Sequence, residues 1–163
     1  MKRITVVILC LALAGTVFAV GSAGGSSGST SSGSGAAAKQ PKAPTALDLY
    51  NSGYAASKAG KYKDAIADFN NAIALKADYA EAYNMLGFCS RKVGDTAKAF
   101  TYYETALKLK PDFPEAREYY GEAFLQQGNL AKAVQQYVIL QKAGSKFARE
   151  LLDEIDLFVN QKA

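Results

Sequence analysis

Residues 83–95, "YNMLGFCSRKVGD", read as a helix with a fault in it. Tyr83, Leu86 and Val93 recur at helical spacing, yet Gly87 stands in the middle and Gly94 near the end. Glycine inside a helix costs roughly 1 kcal/mol relative to alanine. The stretch has relatives in the same chain. Counting 34 residues back from the two glycines reaches Gly53 and Gly60, and counting 34 forward reaches Gly121 and Gly128. The same step joins Ala65, Ala99 and Ala133, then Phe69, Tyr103 and Tyr137. Leu75 and Leu109 also match, and Ala143 breaks that column. The turns align as "AGKYKDA", "VGDTAKA" and "QGNLAKA". Each glycine or alanine column holds one size of side chain, which chance spacing does not produce.

A period of 34 residues accommodates two helices of about 12 to 15 residues and their turns. A mid-helix glycine then removes the Cβ between the first helix of each pair and its partner, where a small alanine is expected opposite it. The second glycine is expected to cap the first helix in the left-handed conformation. Asp95 and Asn129 stand where the second helix needs an N-cap, whereas Lys61 has no side-chain acceptor to offer. At the joints, "DYAE" (78–81) and "DFPE" (112–115) predict capping boxes, and "PTALD" (44–48) predicts a similar entry into the first helix.

The combination of Tyr83, Leu86, Gly87, Gly94, Ala99, Tyr103, Ala106 and Pro111 resembles the tetratricopeptide repeat. The resemblance covers residues 46–163 and implies an all-α fold, a right-handed α-solenoid of three helix-turn-helix repeats at 46–79, 80–113 and 114–147. A C-terminal capping helix at 148–163 would close it, with the apolar face Phe147, Leu151, Ile155 and Phe158 turned inward. Ala77, Arg117 and Leu140 depart from the family pattern, which has proline, an aromatic and alanine at those places. The glycine and alanine columns separate the chain from related RNA-reading helical repeats.

The N-terminus is organised differently. "MKR" precedes the apolar run "ITVVILCLALAGTVFAV" and then small residues. This is the pattern of a secretory signal peptide, or of an N-terminal membrane anchor if it stays uncleaved, over residues 1–19. "VFA", ending at Ala19, is the preferred cleavage site and "GSA", ending at Ala23, the second. Cys10 lies inside the apolar run behind Leu9, which does not suit a lipoprotein. Residues 20–45 are rich in glycine and serine, lack large apolar side chains beyond their start, and read as a disordered tether. Both fates of the first segment put the repeats outside the cytoplasm, in a bacterial periplasm or cell envelope. The membrane enters only through the N-terminal segment.

The formal charge of +4 is misleading. Lys2, Arg3, Lys39 and Lys42 account for all of it, leaving 15 Lys+Arg (19 − 4) against 15 Asp+Glu in residues 46–163. A neutral repeat domain gives no argument for a nucleic-acid partner. Cys89 is the one cysteine beyond the N-terminal segment, so no internal disulfide can form; it reads as a small buried apolar residue, with an intermolecular disulfide as the alternative. The chain has no histidine, which removes His-based acid–base chemistry and most transition-metal sites. No phosphate-binding glycine loop precedes a helix, and Glu118 with Glu122 reads as an exposed helical face. No enzyme activity, cofactor or metal is expected.

Binding remains, and the resemblance implies where. The first helix of each repeat lines a concave groove in this family. By register the candidates are Tyr50, Tyr54 and Lys58, then Glu81, Asn84, Phe88 and Arg91, then Glu115, Glu118, Tyr119 and Glu122. Aromatic anchors among carboxylates suit an unknown protein or peptide partner that is basic or amphipathic. Chaperone-binding members of the family hold a C-terminal carboxylate with lysines, asparagines and an arginine. This chain has Tyr50, Tyr54, Met85, Glu115 and Tyr119 at the matching places, so no such tail is expected. The alternatives to a peptide-binding scaffold are a homo-oligomer stacking through its terminal helix, or an accessory subunit of an envelope secretion or assembly machine.

Overall fold

The computed structural model describes residues 42–162, and the readings of 1–19 and of residues 20–41 lie outside them. Seven helices follow one another: α1 (Ala46–Lys58), α2 (Tyr62–Leu75), α3 (Ala80–Lys92), α4 (Thr96–Leu109), α5 (Pro114–Gln126), α6 (Leu130–Lys142) and α7 (Phe147–Asn160). No strand occurs among the described residues, and no helix there is long and apolar enough to cross a membrane. The pairs α1–α2, α3–α4 and α5–α6 pack as hairpins, and each hairpin packs on the next.

The second glycine of each repeat caps its helix as expected. Gly60, Gly94 and Gly128 have φ of 74°, 89° and 81°. This left-handed turn lets the next amide reach five residues back, as in Asp95 N–H to Ser90 O at 2.9 Å and Asn129 N–H to Phe124 O at 2.8 Å. Asp95 and Asn129 then accept from the amides of Lys98 and Lys132, while Lys61 makes no side-chain cap. Thr45 and Asp48 form a complete capping box at the start of α1.

The other two joints correct the sequence reading. Asp78 and Asp112 do not cap α3 and α5; Tyr79 and Phe113 occupy the N-cap positions with no side-chain hydrogen bond. Burial of those rings in the core outweighs a cap here. Glu81 is drawn to Lys110 Nζ at 3.0 Å instead of back to its own helix start.

The first glycine of each repeat is also packed, with a larger side chain than alanine nearest to it. A Cβ built on Gly87 would lie 2.5 Å from the Tyr103 ring, and one on Gly53 would lie 3.0 Å from Phe69. The alanines at 65, 99 and 133 are fully buried in the core. So the glycine makes room for an aromatic ring, which covers more apolar surface than a backbone approach would. In the third repeat the same notch takes Leu151 of α7, 2.5 Å from a Cβ on Gly121, and not Tyr137. Cys89 is fully buried and unpaired, with burial pushing its thiol up to about 12.

Curvature follows from which helices touch. α1 meets α3, α3 meets α5 and α5 meets α7, whereas α2, α4 and α6 make no contact with one another. A row whose odd members touch and whose even members are apart bends with the odd helices on the inside. α1, α3, α5 and α7 therefore line the concave surface.

Candidate functional site

On α1 the Tyr50 and Tyr54 rings stack with centroids 6.3 Å apart and planes 18° apart. Tyr50 is held from behind by Tyr79 at 5.1 Å and Phe69 at 5.5 Å, and Tyr54 stays 46% exposed. Lys58 is exposed at the end of the same helix. On α3, burial works to raise the Glu81 carboxyl, but the Lys110 hydrogen bond and charge outweigh it and hold it below its ordinary value. Phe88 lies half-buried between Tyr62 at 6.1 Å and Tyr119 at 5.3 Å. Two cations of the chain itself already face its ring, Lys92 at 5.3 Å and Arg91 at 5.7 Å.

On α5, Glu115 and Tyr119 are half-buried. Burial and then the negative charge of Glu115 push the Tyr50 phenol up to about 12. The same two causes lead at Tyr119, which is raised further. One carboxylate therefore acts on tyrosines of both α1 and α5.

Three of the expected groove residues are not offered to a ligand as anticipated. Asn84, Arg91 and Glu118 are only 1%, 6% and 6% exposed. For Glu118 the cover is α7, which lies along α5 and α6 as a further inner helix and not merely across the end of the array. Arg91 Nη2 bridges α3 to α5 through Glu122 Oε2 at 2.5 Å. A pocket of about 270 Å³ beside this pair is walled by Leu125 of α5 and by Glu154, Leu157 and Phe158 of α7. The reading of Glu118 and Glu122 as an exposed face is overturned by the same helix. Glu118 has no cation of its own, and burial, then Glu122, then Glu150 of α7 push its carboxyl up to about 8. Asn84 Oδ1, Arg91 Nε and Tyr103 Oη are buried without a hydrogen-bond partner.

The sequence reading missed Tyr62, which opens α2, and Lys110, which follows α4; both reach the site from outside the inner row. It also missed the cover that α7 provides. Its apolar stripe was legible, but nothing in the stripe says which surface it meets. Among the described residues no group of three or more cysteine or carboxylate side chains is placed to hold a metal.

A tetratricopeptide repeat profile matches residues 90–146, and a second TPR repeat profile matches residues 53–89. Together they span more than half of the chain without a gap. No curated protein matches in sequence. Among solved structures, the type III secretion translocator chaperone SycD of Yersinia enterocolitica is similar at 22% identity and a TM-score of 0.65, over 72% of this chain and 93% of its own. PcrH, solved with the chaperone binding region of PopD, is similar at 22% identity and a TM-score of 0.63, over 72% and 92%. The first TPR of Spaghetti (RPAP3), bound to an HSP90 peptide, is similar at 20% identity and a TM-score of 0.63, over 71% and 94%. At these identities the likeness is one of fold.

Proposed function

This chain belongs to the tetratricopeptide repeat family, and on that footing we propose that it is a non-enzymatic interaction module holding a peptide or protein segment on its concave face. The observation that carries this reading is the set of partly exposed rings, Tyr50, Tyr54, Phe88 and Tyr119, gathered on the inner row of helices. Aromatic side chains half held by the fold offer contact area at low entropic cost. PcrH and the Spaghetti repeat, both similar in fold, are solved with peptide segments bound, which supports the reading. The absence of histidine supports a non-enzymatic role.

Export to a bacterial periplasm or envelope belongs to the same proposal and rests on residues 1–19 alone, where a basic start precedes a long apolar run. A second reading, self-assembly through the terminal helix, has one observation in its favour. Leu157 and Val159 of α7 are 55% and 44% exposed.

A photo-reactive amino acid placed at Phe88, and separately at Gln135 on α6, distinguishes these in cells that make the protein. Cross-links to another protein from position 88 and not from 135 are the expected result. Cross-links equal at both positions, or arising only at 135, would remove the concave face from the proposal. Adducts between copies of the chain from a probe at Leu157 would favour self-assembly.

A further inference from the structure

We propose that the open half of the concave face takes one cationic side chain of the partner, lysine or arginine, between the Tyr50–Tyr54 stack and Tyr119, with Glu115 as its counter-ion. This rests on the groove reading above and narrows it from a basic segment to a single charge.

Four carboxylates on the inner row suggested a broadly acidic groove, and the structure accounts for three of them. Glu122 is neutralised by Arg91 at 2.5 Å. Glu81 is neutralised by Lys110 at 3.0 Å. Glu118 is buried beside other acids, where the proton-bound form is favoured. Glu115 is left with no ion pair among the described residues. A half-buried carboxylate without a counter-ion forgoes stabilisation that a ligand cation can supply.

The rings around it point the same way. Phe88 has Lys92 and Arg91 of the chain over its face, and Tyr79 has Lys76 at 4.4 Å. Tyr50, Tyr54 and Tyr119 have no cation over them among the described residues. Glu115 stands one helical turn before Tyr119 on α5, on the same helix face, and its charge also reaches Tyr50 of α1, so two concave rings lacking a cation share the carboxylate lacking a counter-ion.

On α3 and α5 a polybasic segment meets no second unpaired, ionised carboxylate, so charge beyond the first should add little there. The test is a phage-displayed library of random dodecapeptides selected on the full chain, with calorimetry on the synthetic winners. The expected winners carry one lysine or arginine flanked by apolar residues. Replacing Glu115 with Gln, or the peptide cation with Gln, should weaken binding by about tenfold or more, as loss of a charge-assisted contact does. Doing both should cost no more than either alone. Winners that lose affinity with Phe88→Ala but not with Glu115→Gln would overturn the cation subsite and leave the groove standing. Winners indifferent to both substitutions would overturn the subsite and the groove together.

Discussion

The first and third repeats share one sequence pattern and meet different neighbours. In the first, Gly53 faces Phe69 of its own hairpin, and the inner surface ends in the exposed ring of Tyr54. In the third, Gly121 takes a leucine from α7, and the register positions that would line a groove, Glu118 above all, are closed over. A repeat thus fixes its own helices and turns but not what its inner face becomes. Helix arrays bury each unit against the next, so the face is decided by whatever follows in the chain.

The largest effects should come from adding a Cβ to the three packed glycines. At Gly87 the new atom meets the fully buried Tyr103 ring at 2.5 Å, and at Gly121 it meets the fully buried Leu151 at the same distance. Both neighbours are fully buried and must shift, so Gly87→Ala and Gly121→Ala should each cost about 1–3 kcal/mol despite alanine's better helix propensity. Gly87→Leu should cost more. At Gly53 the Phe69 ring stands 3.0 Å away and needs to shift only slightly, so Gly53→Ala should come out close to neutral. Urea melts rank the three. Equal losses at Gly53 and Gly121 would mean that the two repeats do not differ in packing.

An intermediate effect, restricted to the third repeat, should appear with pH. The Glu118 carboxyl is pushed up to about 8 by burial and by its acidic neighbours, against an ordinary value of 4.5. Below 4.5 it is neutral in the folded and unfolded states alike. Between 4.5 and about 8 the folded state holds a proton that the unfolded state has released, so stability falls as pH rises. Thermal midpoints measured from pH 5 to pH 9 should decline in the wild type and decline less in Glu118→Gln. A wild-type profile as flat as that of the variant would place Glu118 in solvent and reopen that part of the groove.

These contrasts mark how far the sequence could be read. The glycine period, the left-handed caps and the caps by Asp95 and Asn129 are local, set within one turn by backbone geometry, and were legible. The partner of Gly87 was misread as alanine because periodicity shows which columns repeat, not which face each other. The boxes at Asp78 and Asp112 failed for a related reason, since burial of Tyr79 and Phe113 is a tertiary gain that no local motif records. The expected groove residues fall by register on the inner-row helices α1, α3 and α5. Their exposure was not legible, because Glu118 is covered by a helix more than 25 residues further along the chain and Arg91 is taken up by Glu122 of the next repeat.

The smallest effect on stability belongs to the open end. Tyr54 is 46% exposed, and the one aromatic partner of its ring among the described residues is Tyr50 at 6.3 Å. Alanine is the better helix former by a few tenths of a kcal/mol, which offsets part of that loss. Tyr54→Ala should therefore leave the urea midpoint within the ~0.5 kcal/mol usual for exposed positions. The same substitution removes a ring from the proposed cation subsite, so peptide affinity should fall while stability holds. This separation is what distinguishes a binding surface from a core. A stability loss above about 1 kcal/mol would count Tyr54 with the packed residues, and the first repeat's inner face would then be as closed as the third's.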